Sequence, residues 1–422
     1  MVKEKKRRIV VLGAGYVGIS TVQTLANKLD LPNHEIVLID KYSCHVYQGD
    51  LYEVATALHA KISNKCLTRL KETVATPVTE FIKPDQVKFV CDEVLEIDQY
   101  NKVIKLKKEK NLDYDYLVVG LGSSNNFFGI PGLEENALTL KTVEDALKIN
   151  CKLDQYFYHL WNKQKHEDVD IVVGGGGAAG VELAGELVHY VRGLCKKYKY
   201  PEKRVKVVLI EGMDRLGGFK EKGTKLVIAR LKKLGVELHM KSFISKVGKK
   251  SLDLKLPNDK KKSLPYDILV WTGGVKVNPV VAKAFGTKAT RGAIEVNPFL
   301  QSAKYRNVFA AGDNAFFFDD EGGGRVPMLA QVAWVQGILL AENMIEFLKG
   351  GGMRQYKIPY YHLLVPVGGK FAFWRAGDKI FSGMWVWFFK RLIYYRYYLK
   401  FLPFLKATHK FMHSTKVFCE ND

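Results

Sequence analysis

The chain has 422 residues, 47% of them apolar and 26% charged, which suffices for two or three packed domains and excludes a disordered or low-complexity protein. Its formal charge of +21 points to a polyanionic partner: a nucleic acid, an acidic lipid surface or a phosphate-bearing ligand. Six cysteines, at 44, 66, 91, 151, 195 and 419, show no C-x-x-C or metal-ligand spacing, so no metal is expected and the thiols read as reduced.

The basic N-terminus runs directly into RRIVVLGAG, without the apolar segment and cleavage site of a signal peptide. No window reaches the roughly eighteen uncharged apolar residues of a transmembrane helix. From Arg8 the sequence reads RIVVLGAGYVGISTVQTL: an apolar run suited to a buried parallel strand, a glycine turn, then a helical pattern. Gly13, Gly15 and Gly18 have the dinucleotide-binding spacing. The first glycine makes the tight turn, the second admits a pyrophosphate and the third lets helix and strand approach closely. The anion then lies at a helix N-terminus. HEIVLID ends a second strand at Asp40, where a carboxylate can accept hydrogen bonds from ribose hydroxyls. YDYLVVGLGSS, from Tyr114, reads as a further strand entering a glycine turn.

The same order then recurs. DIVVGGGGAAGVELAGEL starts at Asp170 and aligns without a gap on the first motif, placing Gly175, Gly177 and Gly180 at the three glycine positions. VKVVLIE ends at Glu211, and YDILVWTGGVK, from Tyr266, closes the second unit with Gly274 in its turn. Two dinucleotide sites in one chain suggest electron transfer between two cofactors. Glu211 should repel a 2′-phosphate and so favours NADH over NADPH, a preference that Arg215, four residues on, could soften.

Downstream, NVFAAGDNA at 307–315 resembles the strand-plus-Gly-Asp motif of flavoproteins with two dinucleotide-binding domains, in which the aspartate, here Asp313, contacts the ribityl chain of the flavin. Within that superfamily the chain resembles the type II NADH dehydrogenases, single-chain NADH:quinone oxidoreductases of the membrane surface. The likeness spans nearly the whole chain and rests on LGAGYVG, GVELAGEL, WTGGV, AAGD, AQVAWVQG and an aromatic, basic tail. It implies an α/β protein with two Rossmann-like domains, the NADH domain inserted in a split FAD domain, plus a C-terminal amphipathic helical segment for membrane docking. The expected boundaries are 1–145 and 286–378 for the two parts of the FAD domain, 146–285 for the NADH domain and 379–422 for the docking helices.

The resemblance also implies site residues. FAD falls to the first motif: Gly13, Ala14, Gly15, Tyr16, Val17 and Gly18, with Asp40, Lys41 and Asp313. Ala330, Gln331 and Lys390 join them, Lys390 matching a family lysine that reaches back toward the flavin. NADH falls to Gly175, Gly177, Gly180, Glu211 and Gly274. Glu182 matches a glutamate implicated in activity, either ordering the nicotinamide or assisting proton delivery; a carboxylate stabilised by the helix dipole is the plainer reading, and Glu186 is the reserve. Gln331 matches the first glutamine of the family's quinone-site helix, A-Q-x-A-x-Q, but Val335 stands where the second would be. Gln336 is turned about 100° away on a helix and should not replace it. Glutathione-reductase-like and thioredoxin-reductase relatives need a close cysteine pair, which is not present, and sulfide:quinone oxidoreductases need reactive cysteines flanking the flavin, including one late in the chain, whereas none occurs between 196 and 418.

The tail, WVWFFKRLIYYRYYLKFLPF and beyond, has no Asp or Glu from Lys379 to Cys419, while Lys390, Arg391, Arg396, Lys400, Lys406, Lys410 and Lys416 accumulate. As a helix it places Trp385, Phe388, Phe389, Leu392, Tyr395 and Leu399 on one side. After Pro403, a second helix places Phe404, Ala407, Phe411 and Phe418 on one side and Lys406, His409, Lys410 and His413 on the other. Such helices lie in the membrane interface, each base contributing roughly 1 kcal/mol against anionic lipid; packing on the protein or in a dimer is the other reading. The expected protein is a non-proton-pumping NADH:quinone oxidoreductase, peripheral on the cytoplasmic face of the membrane. Its partners are a membrane quinone and anionic lipid; a homodimer is allowed and nucleic acid is not expected. Two alternatives remain: a soluble FAD-dependent NADH oxidase or diaphorase using oxygen or another acceptor, and a non-enzymatic NADH-binding, redox-sensing flavoprotein.

Overall fold

The β-branched run Arg7–Leu12 forms the middle strand of a five-stranded sheet, ordered Val308–Ala310, Tyr116–Val119, Arg7–Leu12, His34–Asp40, Val87–Cys91. Every pairing in it is parallel. Ile9, Val10, Val11 and Leu12 are fully buried, as expected of a parallel strand covered on both faces. The computed structural model describes residues 6–58, 64–165, 167–319, 324–326, 328–358 and 362–419. Its contacts divide the chain into two units, Met1–Val46 with Thr76–Ser124 and Val275–Tyr361, and Tyr47–Ala75 with Asn125–Gly274 and His362–Asp422.

In the first unit the helix Tyr16–Lys28 follows the glycine turn and packs against the long helix Ala330–Lys349. A glycine makes that approach possible: a Cβ on Gly337 would meet Ser20 Oγ at 2.1 Å and Val17 O at 2.7 Å. Thr21 Oγ1 donates to Gly337 O at 3.1 Å across the same seam.

The second unit repeats the design. Its parallel sheet runs Leu138–Thr139, Ile268–Trp271, Val169–Gly174, Val205–Glu211, Glu237–Met240. The register matches as well: Leu12 lies opposite Ile39 in the first sheet and Gly174 opposite Ile210 in the second. An antiparallel sheet of Phe243–Val247, Ser251–Lys255 and Lys261–Pro265 shares a core with the parallel strands, through Ile244, Leu252 and Leu254 against Val172, Ile210 and Leu269. Both units therefore have the Rossmann-like arrangement implied by the paired motifs.

The chain ends in the second unit. An antiparallel sheet, Leu363–Pro366, Ala372–Ala376 and Lys379–Gly383, leads into the helices Met384–Phe401 and Phe404–Cys419. Pro403, which lacks an N–H and cannot continue a helix, separates the two. Tyr394, Tyr397 and Tyr398 of the first helix pack around Tyr47, with ring centroids 4.8, 5.6 and 6.2 Å away. Among the described residues no helix is long and apolar enough to cross a membrane.

Candidate functional site

The two glycine motifs share one hydrogen-bond plan. Gly13 N–H donates to Ile39 O at 2.7 Å, and Gly175 N–H to Ile210 O at 2.8 Å. Both glycines have positive φ, 94° and 104°, which a side chain would oppose. A Cβ on Gly18 would sit 1.7 Å from Gly13 O, and one on Gly180 1.8 Å from Gly175 O. Gly15 and Gly177 differ from these: a Cβ there would meet nothing within 4 Å. Their lack of a side chain serves no contact within the protein, and each is the N-cap of its helix, without a side-chain cap or an acid in the first turn. Two helix N-termini thus present backbone N–H groups and the positive end of the dipole to open space, which suits a pyrophosphate.

The predicted ribose acids stand beside these turns. Asp40 Oδ2 accepts from Ala14 N–H at 2.6 Å and Oδ1 from Tyr42 N–H at 2.8 Å. Glu211 Oε2 accepts from Gly176 N–H and Oε1 from Met213 N–H, both at 2.6 Å. Burial pushes the Asp40 carboxyl above its ordinary range, against the pull of those two N–H groups. Lys41 is exposed, its ammonium 4.9 Å from the centre of the Tyr42 ring. Tyr16 stacks edge-on against His45 at 5.3 Å, and His45 Nδ1 bonds to Ala14 O at 2.9 Å. Val17 lines the turns, its side chain meeting the Cβ positions of Gly120 and Gly312. In the second unit Thr272 Oγ1 donates to Gly174 O and Gly175 O, at 3.1 and 2.9 Å, and Gly274 takes φ 145° with its carbonyl accepting from Asn126 N–H at 3.0 Å.

Asp313 lies in the turn Gly312–Asn314, after the strand Val308–Ala310, and accepts from Ser123 Oγ at 2.5 Å. Asn314 clamps that turn to Gly122, exchanging hydrogen bonds of 2.8 Å with its N–H and carbonyl. Gln336 is 1% exposed and accepts from Gly312 N–H at 2.8 Å. It braces the Gly-Asp turn. Ala330 and Gln331 are exposed at the start of the same helix.

The second unit holds a buried charge cluster of which the sequence indicated only part. Glu182 and Glu186, from the glycine-motif helix Ala178–Lys197, are 8% and 3% exposed. Lys390 Nζ lies 3.2 Å from Glu182 Oε1 and 3.6 Å from Asp50 Oδ1, and donates to Gly49 O and Tyr52 OH at 3.0 and 3.1 Å. Arg391 Nη1 lies 2.6 Å from Asp50 Oδ2. Burial raises the Glu182 carboxyl to about 7; Lys390 opposes that rise and the Asp50 charge adds to it. Burial, with four acids nearby, pushes the Tyr52 phenol well up. Asp50, Tyr52 and Arg391 were missed because no motif marks them and they lie more than a hundred residues from Glu182.

Three of the tail's seven bases turn inward: Arg391 and Lys410 against their expected lipid-facing role, and Lys390, which the resemblance directed toward the flavin, onto Glu182 and Asp50. Lys390 and Arg391 are buried in the ion pairs above, and Lys410 donates to Glu72 O and Ala75 O, both at 2.8 Å. Their carboxylate and carbonyl partners come from outside 379–419, so the absence of acids within the tail gave no sign of them. The second helix face is split as well, Phe404 being 66% exposed and Phe418 1%. The other aromatic face is outward: Trp385, Phe388, Leu392 and Leu399 are exposed, joined by Leu405 and Met412, while Arg396, Lys400, Lys406 and Lys416 remain at the surface.

Comparison with known proteins agrees with this architecture. The family model for pyridine nucleotide-disulphide oxidoreductases matches residues 7–337. The chain is 30% identical over 394 residues to a type II NADH:quinone oxidoreductase of Staphylococcus aureus, an alignment covering 92% of this chain and 94% of the relative. It is 31% identical over 354 residues to that of Staphylococcus haemolyticus, covering 82% and 84%. In fold it is similar to the structure of NDH2 from Plasmodium falciparum in complex with NADH, with a TM-score of 0.84 over 98% of each chain at 17% identity. With its duplicated dinucleotide-binding geometry and this likeness along most of its length, the chain belongs to the type II NADH:quinone oxidoreductases of the pyridine nucleotide-disulphide oxidoreductase family.

Proposed function

We propose that the protein oxidises NADH and reduces a membrane quinone through a bound FAD, without pumping protons. The observation that carries this reading is the doubling of an open, uncapped helix N-terminus with an acid at the end of the neighbouring strand. The names of the relatives favour quinone over oxygen as the acceptor.

In this reading the first unit holds FAD. Gly15 and the N–H groups opening the helix Tyr16–Lys28 take the pyrophosphate, Asp40 the adenosine ribose and Asp313 the ribityl chain. The second unit holds NADH, with its pyrophosphate at Gly177 and its ribose at Glu211, whose charge disfavours a 2′-phosphate. When bound, the flavin supplies the two-electron chemistry linking the nicotinamide to the quinone. The chain contributes position and charge. Glu182, held near neutral titration, can store or release a proton at Oε1, and Lys390 orients it. Gln331, exposed at its helix start, is assigned to the quinone headgroup.

The outward face of Trp385, Phe388, Leu392, Leu399 and Leu405, flanked by Arg396, Lys400, Lys406 and Lys416, suits an anionic lipid surface, with aromatic rings at headgroup depth. We place that surface on the cytoplasmic side, where NADH is available. The test is steady-state NADH oxidation by the flavin-loaded protein on anionic liposomes containing quinone, with ferricyanide as a control. Quinone-dependent turnover supports the reading. Ferricyanide reduction without quinone reduction would remove the acceptor assignment and leave the NADH–flavin half standing.

A further inference from the structure

Asp50 ends the turn Gln48–Asp50, directly before the short helix Leu51–Ala55, and is 1% exposed. An acid at that position commonly caps its own helix, yet Asp50 makes no such bond. Its carboxylate turns to the helix Met384–Phe401 instead, with Oδ2 2.6 Å from Arg391 Nη1 and Oδ1 3.6 Å from Lys390 Nζ. Consecutive residues project about 100° apart on a helix, so one carboxylate meets both only when it lies between them. Arg391 is fixed in turn by the last helix, its Nη2 donating to Ser414 Oγ at 2.6 Å and Thr415 Oγ1 at 3.2 Å.

A buried ion pair of this kind is weak evidence for stability, because desolvation offsets much of the attraction. Its better-supported use is to fix a geometry. Lys390 is shared among Glu182, Asp50, Gly49 O and the Tyr52 hydroxyl, all within 3.6 Å. Without Asp50, Glu182 would be the only one of those four partners with a formal negative charge. The ammonium would then settle on Glu182 and hold it ionised. The other titratable groups of the cluster are Tyr52 and Glu53 on the short helix and Glu186 one turn along from Glu182. Glu53 and Glu186 act together with Asp50 and Glu182 on the Tyr52 phenol, raising it.

Building on the reading of Glu182 as a proton-handling group, we propose that Asp50, anchored by Arg391, is a positioning residue: it seats Lys390 between two carboxylates, so that Glu182 is oriented by the ammonium without being fully neutralised. Asp50 then acts through Lys390 and needs no contact with either dinucleotide.

The experiment is an infrared titration of the Glu182 carboxyl in the full, flavin-loaded chain, its band assigned by loss in Glu182→Gln. It is run on the parent protein, Asp50→Asn, Asp50→Glu and the double variant Asp50→Asn/Arg391→Gln. The double variant removes both buried charges together and keeps a folded protein for the test if Asp50→Asn alone does not fold. The Glu182 midpoint should fall by about one pH unit or more in Asp50→Asn and in the double variant, and return to the parent value in Asp50→Glu. Quinone-dependent turnover should show the same displacement in its pH profile. A Glu182 midpoint unchanged in either folded variant would overturn the proposal, even if turnover or melting temperature dropped, because that is what a merely structural Asp50 would give. Failure of the parent protein to reduce quinone would count against the functional reading, while the titration would still decide the role of Asp50.

Discussion

Lys390 Nζ lies 3.2 Å from Glu182 Oε1 across 208 positions of sequence, with both residues 8% exposed. The pair joins the helix that opens the second dinucleotide motif to the first helix of the tail. The tail is therefore part of the charged site as well as an outward apolar face.

The titration of Glu182 sets a pH dependence of stability. Its folded-state value, about 7, lies above the ordinary 4.5. Its contribution is thus fully present below the unfolded value and is lost as pH rises through the folded one. The full change amounts to roughly 3–4 kcal/mol. Urea unfolding at pH 5 and pH 8 should show a smaller loss of stability between the two in Glu182→Gln than in the parent. Equal losses would mean that Glu182 titrates normally.

The glycines separate packing from ligand binding. In Gly180→Ala the new Cβ would lie 1.8 Å from Gly175 O and 2.7 Å from Thr272 Oγ1. The protein should lose about 2 kcal/mol or more of stability, along with NADH oxidation. Gly177→Ala meets nothing within 4 Å and has an ordinary φ of −63°. It should melt like the parent, yet its KM for NADH should rise about tenfold with any acceptor, since the methyl group occupies the space of a phosphate. An unchanged KM would move the pyrophosphate elsewhere.

Gln336 and Val335 are adjacent but should behave differently. Gln336→Leu leaves the Gly312 N–H without its acceptor and should cost about 1–3 kcal/mol, seen as a lower melting temperature and easier flavin loss. Val335→Gln restores the family spacing and should lower the KM for quinone with the flavin retained. Full stability in Gln336→Leu would show that the Gly-Asp turn holds without the brace.

The outward aromatic face predicts a binding defect without a folding defect. Trp385, Phe388 and Leu405 are 52%, 51% and 80% exposed. Replacing all three by Ser should leave the melting temperature within a few degrees of the parent and weaken sedimentation with anionic vesicles about tenfold or more. Binding that survives the triple substitution would assign docking to another surface.

The doubled architecture was legible because its constraints are local. Gly13, Gly18, Gly175 and Gly180 are required by contacts within a few residues or on the adjoining strand, and Asp40 and Glu211 fall at strand ends whose apolar runs are unmistakable. The Gly-Asp turn at Asp313 was legible through resemblance, but its supports, Ser123, Asn314 and Gln336, were not. They are ordinary polar residues, and only tertiary structure gives them partners. The tail was half legible. Its aromatic and basic content stood out, yet helical periodicity could not distinguish a buried face from a lipid face when both carry tyrosines and bases. Arg391 read as a lipid-facing cation, and Lys390 was turned inward by the resemblance alone, until Asp50 and Glu182 were brought to them by the fold.

The most direct test of the account is an anaerobic pair of half-reactions on one sample of the flavin-loaded protein. NADH is added first and a quinone in anionic liposomes second, with the flavin absorbance followed throughout. The account predicts bleaching by NADH and full recovery of the oxidised spectrum on adding quinone. Bleaching that persists in the presence of quinone, with recovery only on admitting oxygen or ferricyanide, would contradict it.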